Sequence, residues 1–205
     1  MTLSLIHAAK AAVRWLPFSC LLATAGACGH NGPAHPRDLR ALLLTFDDNR
    51  GSAALTFPTL TYEALVRFNP PAGKHRPWRL WLLAQAPGTI AVSLYKDTVF
   101  DAPGELLDTF TRKLEASDAS TGGDGRWLVE DLQDLDVIEG TVWVGVRKLE
   151  GAPALWTSAA GGQSFLRDRD QTKGLGILPV KRTPMIRLEL APAELPRTAS
   201  HCATP

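Results

Sequence analysis

Thr89-Ile90-Ala91-Val92-Ser93-Leu94-Tyr95 and Thr141-Val142-Trp143-Val144-Gly145-Val146 decide the fold of this chain. In the first, Ile90, Val92 and Leu94 fall on one side. In the second, three valines do the same and leave Trp143 on the other. A period of two over five or more residues is the mark of a strand with one buried and one more exposed face.

Reading outward, Thr183 to Leu190 repeats the pattern, with Ile186, Leu188 and Leu190 opposing Arg187 and Glu189. Ala41 to Phe46 is a short apolar run that ends at the turn cluster Asp47-Asp48-Asn49. Further strands are expected at Ala64–Phe68, Trp78–Gln85, Leu107–Leu114 and Trp127–Leu132. Turn signals separate them: Asn69-Pro70-Pro71, Ala86-Pro87-Gly88, Pro103-Gly104, Gly122-Gly123-Asp124-Gly125 and Glu139-Gly140. The best helical candidate, Asp101 to Lys113, is broken at its start by Pro103-Gly104, and Thr109, Phe110 and Thr111 favour a strand. Roughly seven to nine short strands without helices between them argue an all-β fold. The expected architecture is a single-domain antiparallel β-sandwich, jelly-roll-like or immunoglobulin-like, over residues 41–190.

What precedes and follows that domain reads differently. Lys10 and Arg14 supply positive charge, and no acid occurs before Asp38. Trp15 to Ala27 is an apolar run shorter than the roughly 20 residues a spanning helix needs. Small residues lead to Ala25-Gly26-Ala27-Cys28-Gly29. This order is that of a secretory signal, giving a signal peptide over 1–27. Gly32-Pro33 and His35-Pro36 mark a flexible tether over 28–40, and residues 191–205 are expected to be a disordered tail.

The 205 residues carry 22 basic and 21 acidic side chains, a formal charge of +1, so the basic excess of a nucleic-acid binder is missing. Of three cysteines, Cys20 leaves with the leader, Cys28 lies at its end and Cys202 in the tail. A disulfide framework is therefore not expected, although Cys28 and Cys202 could pair in an oxidising compartment if Cys28 is free.

Ala25-Gly26-Ala27-Cys28 resembles the lipobox of bacterial lipoproteins, with Ala25 where that family usually has Leu. The resemblance implies acyl chains on Cys28, a membrane partner reached through that anchor, and an address in the cell envelope. Gly29 resembles an outer-membrane sorting signal. The same residues also form Ala-x-Ala, which would release a soluble periplasmic or secreted protein. A second resemblance rests on Val92 to Asp97, Asp101 to Leu107, Trp127 to Leu132 and Gly140 to Val146. Their order is similar to non-catalytic β-sandwich modules of secreted and surface bacterial proteins. It implies an accessory module whose partner is a glycan or another envelope protein.

Candidate chemistry is sparse. Trp81, Trp143 and Trp156 could present indole planes to sugar rings, against the ordinary reading of buried core tryptophans. Trp156 falls in an expected loop, Gly151–Gly162. Lys74, His75 and Arg76 make a basic run next to Trp78 that could meet an anionic polymer or headgroups; the same run also reads as a hydrophilic strand entry. Asp97, Asp101 and Glu105, and separately Asp47-Asp48-Asn49, could hold calcium or be ordinary turn acids. No cofactor motif, nucleophile elbow or metalloprotease motif occurs, and His75 is the only histidine inside the domain. Two alternatives to a binding module stay open: a secreted carboxylate-dependent hydrolase and a purely structural envelope subunit.

Overall fold

The computed structural model describes residues 41–120, 126–159, 163–170 and 176–194. The leader, the tether, Cys28 and Cys202 lie outside them. Among the described residues there are thirteen strands, all paired antiparallel, in two sheets. The chain is an all-β sandwich.

The smaller sheet has the order β1 (Leu42–Leu44), β13 (Ile186–Pro192), β4 (Lys74–Leu82), β7 (Leu128–Asp131), with β8 (Ile138–Glu139) added to β4. The larger sheet runs β11 (Ile177–Pro179), β10 (Ser164–Asp168), β3 (Tyr62–Phe68), β9 (Val142–Ser158), β5 (Ala84–Asp97), β6 (Pro103–Leu114). β2 (Ala53–Thr56) and β12 (Thr183–Pro184) pair with the far half of β9.

The alternating residues of the two deciding segments meet face to face between the sheets. Ile90, Val92 and Leu94 of β5 and Val142, Val144 and Val146 of β9 pack with Leu80 and Leu82 of β4 and Ile186, Leu188 and Leu190 of β13. Each of these side chains is buried, and full burial of one Leu, Ile or Val is worth about 1.5–3 kcal/mol against leaving it in water. One side of the sandwich is closed by an ion pair: Arg112 of edge strand β6 lies 3.1 Å from Glu130 of edge strand β7.

Three expectations are corrected. β13 runs on through the buried Ala191 to Pro192, so these two residues belong to the smaller sheet and not to the tail expected from 191. Ala86-Pro87-Gly88 is not a turn but a kinked stretch of β5, and Gly151–Gly162 is not a loop up to Ser158 but the second half of the 17-residue β9. The turn residues were read correctly as irregular and wrongly as an ending. Register shifts fall at Ala86 and Gly88, and Gly88 stands opposite Gly151. Both glycines have positive φ, +148° and +72°, so the two strands bend together where side-chain-bearing residues could not.

Candidate functional site

The outer face of the larger sheet carries a second, smaller cluster, separate from the core. Leu65, Tyr95 and Trp143 are buried there with Phe165 packed against them. Strand register explains why they meet. Leu65 of β3 is opposite Gly145 of β9, Arg67 is opposite Trp143, and Trp143 is opposite Tyr95 of β5. On the other side of β3, Glu63 is opposite Arg167 of β10 and Leu65 is opposite Phe165.

Glu63 organises this face although it is 0% exposed. Its Oε1 accepts a 2.8 Å bond from the Tyr95 hydroxyl, and its Oε2 accepts from Arg167 Nε at 3.0 Å and from Arg167 Nη2. Burial and the neighbouring carboxylate push the Tyr95 hydroxyl above its ordinary value, against opposing pulls from Ser93 and Arg167. It therefore stays a donor. Gly145 makes room: a Cβ there would fall inside contact distance of Glu63 Oε1 and 2.8 Å from its Cδ.

A second group continues the row. Trp143 Nε1 donates to Asp97 Oδ1 at 2.7 Å, and Arg67 Nη2 donates to Asp97 Oδ2 at 3.1 Å and to Asp101 Oδ1 at 2.5 Å. The guanidinium of Arg67 lies 5.7 Å from the centre of the Trp143 ring, and that of Arg167 lies 4.9 Å from the Tyr95 ring. Both arginines thus cover an aromatic face and neutralise a carboxylate at once. In the Asp97–Asp101 pair the arginine sits where a cation would, and Lys96 takes Glu105 at 2.7 Å. Among the described residues no group of three or more His, Cys, Asp or Glu is placed to hold a metal ion.

The smaller sheet repeats the device outside. Arg187 engages Asp47 and Asn49 and stacks 3.8 Å from the Trp127 ring centre. Burial pushes the Asp47 carboxyl up. Hydrogen bonds from Arg187, Thr45 and the Asn49 backbone, with the Arg187 charge, more than offset this and hold it below the ordinary carboxylate value.

The sequence-proposed binding residues do not converge. Trp143 is fully buried under Arg67 and Phe165, so its indole offers no open plane. Trp81 is half-buried on the outer face of the smaller sheet, its Nε1 3.3 Å from Glu189. Trp156 is half-buried within β9 and donates to Ser120. Lys74 is exposed opposite Glu139, and His75 Nε2 lies 3.0 Å from the Pro71 carbonyl oxygen. Arg76 is buried, its terminal nitrogens 3.5 Å from the Leu135 and Ala193 carbonyls. Lys74 also lines a depression of about 310 Å³ with Val137, Ile138, Glu139 and Ala193. Cys28 lies outside the described residues.

Sequence reading missed Glu63, Arg67 and Arg167. Its strand begins at Ala64, two residues after the observed start at Tyr62, and it places no strand at β10. Gly145 was the available signal, since a glycine inside a clean strand marks the close approach of another group.

No family model matches the chain, and no curated protein matches it. A solved structure described as "Structure of infectious bursal disease virus Gx strain" overlays 80% of this chain and 40% of its own, at 12% identity and a TM-score of 0.26. An overlay that loose carries no argument. The chain spans less than half of that protein's length.

Proposed function

We propose that this chain is an exported cell-envelope protein, acylated at Cys28, whose β-sandwich is a non-catalytic binding or scaffolding module for a glycan or another envelope protein. The observation that carries the module reading is the pairing on the outer sheet faces. Glu63, Asp97, Asp101 and Asp47 each hold an arginine, and the arginines sit over the rings of Tyr95, Trp143 and Trp127. Such pairing cross-links neighbouring strands and commits these carboxylates to arginine. A hydrolase needs a carboxylate free to give or take a proton at substrate, and these carboxylates are engaged. Leader chemistry supports the anchor: positive charge, a short apolar run and small residues up to Cys28.

The deciding experiment is the intact mass of the chain purified from its native membrane fraction. Cys28–Pro205 plus acylglyceryl chains is the expected mass. An unmodified mass refutes the anchor and leaves a soluble exported protein. For the module, replacing the half-buried Trp81 and Trp156 with alanine should weaken retention on envelope polysaccharide while unfolding stays cooperative. Undiminished retention would remove both residues from the binding surface.

A further inference from the structure

The turn between β5 and β6 carries the two most exposed large apolar side chains of the described residues, side by side: Val99 at 92% and Phe100 at 78%. The turn holds them there. Thr98 N donates to the Ala102 carbonyl at 2.9 Å, and Thr98 Oγ1 accepts from the backbone N–H groups of Phe100 and Ala102, each at 3.3 Å. Asp101 takes a left-handed φ of 55°, and its carboxylate is fixed by Arg67 from β3. Ala102 beneath is buried. The apolar pair is therefore displayed on a braced tip and cannot fold back onto the core.

Topology puts this tip at a particular end of the sandwich. Asp97 N bonds the Thr141 carbonyl, and Thr141 Oγ1 bonds Asn69, so the β5–β6, β8–β9 and β3–β4 connections sit together. β13 ends at Pro192 opposite His75, the start of β4, and β1 begins at Leu42 opposite Leu190. The chain thus enters the sandwich at the end that displays Val99 and Phe100. Cys28 lies 13 residues before Ala41. At about 3.5 Å per residue fully extended, an anchor at Cys28 keeps this end within about 45 Å of the bilayer.

We infer that Val99 and Phe100 enter the interfacial region of the bilayer to which the chain is tethered, orienting the sandwich with this end down. The inference rests on the acylation of Cys28 proposed above. Two features choose a bilayer over a protein pocket. The pair is convex and short, suited to a deformable apolar medium. The charges at its base are matched, Asp97 and Asp101 by Arg67 and Glu105 by Lys96, so contact does not call for a partner of opposite sign. Anionic lipid is accordingly not required.

The test uses the full chain as the cell processes it, with its intact mass recorded, reconstituted in phosphatidylcholine vesicles containing a nitroxide-labelled lipid. In a Cys202→Ser background, a nitrobenzoxadiazole dye is placed at Phe100→Cys, at Val99→Cys, or at Leu60→Cys. Leu60, 55% exposed, is another exposed apolar site, and it precedes β3 at the opposite end. Quenching and a blue shift at 99 and 100, with neither at 60, are expected. An acylated chain with positions 99 and 100 unquenched overturns the inference and leaves the anchor standing, and a second copy or protein partner at the tip would show as that result. Equal quenching at both ends also overturns it. An unacylated chain overturns the anchor and, with it, the inference.

Discussion

Gly145→Ala tests whether the outer-face cluster is organised around Glu63. The added Cβ would fall inside contact distance of Glu63 Oε1, 2.8 Å from Cδ and 3.1 Å from Tyr95 Cε2. Glu63 is fully buried and held by Tyr95 and Arg167, so it can move only by losing a charge-assisted bond. That loss is worth about 1.5–3 kcal/mol. The methyl itself would favour a strand by about 0.5–1 kcal/mol, so the expected net cost is about 1–2 kcal/mol. Glu63→Ala removes the obstacle and leaves Arg167 without its carboxylate, at about 3–5 kcal/mol. In that background Gly145→Ala should cost within about 0.5 kcal/mol of nothing, because the vacated space receives the methyl. Urea denaturation of the four proteins closes the cycle. Equal cost of Gly145→Ala in both backgrounds would refute the reasoning, since the strain would then lie in the backbone or against Tyr95.

Other positions give separate expectations. Gly88→Ala should destabilise by about 2–4 kcal/mol, because its Cβ would stand 2.7 Å from Pro153 Cδ and 2.8 Å from Pro153 N at a φ of +148°; Gly151→Ala, at φ +72° and 3.4 Å from Gly88 Cα, should cost about 1–2 kcal/mol. A smaller effect at Gly88 than at Gly151 in thermal unfolding would contradict the bend described. Trp143→Phe keeps the ring under Arg67 but removes the bond to Asp97, at about 1.5–3 kcal/mol by the same urea assay; no loss would mean that water replaces the indole N–H. Acid should act oppositely at two carboxyls. Asp47 is held below its ordinary value, so its contribution is complete above about pH 4 and is lost as pH falls through the lowered value. Glu130 is pushed up by burial, against Arg112 and with Asp118, so folding gains as pH falls through its raised value. Asp47→Asn should flatten the acid limb of a stability–pH curve and Glu130→Gln should steepen it; the reverse would show that other groups control that limb.

The sandwich was legible because its central strands are written in clean alternation. Ile90, Val92 and Leu94, and the three valines of β9, all reached the core. Local signals failed where long-range pairing overrode them. Pro87-Gly88 reads as a turn in any short window, yet β9 supplies partners on both sides of it, so the strand bends and continues. β10, β11 and β2 lack alternation strong enough to stand out and are specified by the neighbours they join. Trp143 was rightly placed off the core face, but its cover came from Arg67 of β3 and Phe165 of β10, whose adjacency no local pattern encodes.

The length of β9 has a consequence for how the molecule comes to exist. Its first half serves β3 and β5, and its second half serves β2, β12 and the start of β5. Until Val142–Lys148 has been synthesised, β3 lacks its central partner and β5 has only its neighbour β6 to pair with. Apart from the β5–β6 and β10–β11 hairpins, the strands pair across long stretches of sequence, a topology that folds slowly. The nascent polypeptide therefore passes through much of its synthesis with the larger sheet still unclosed.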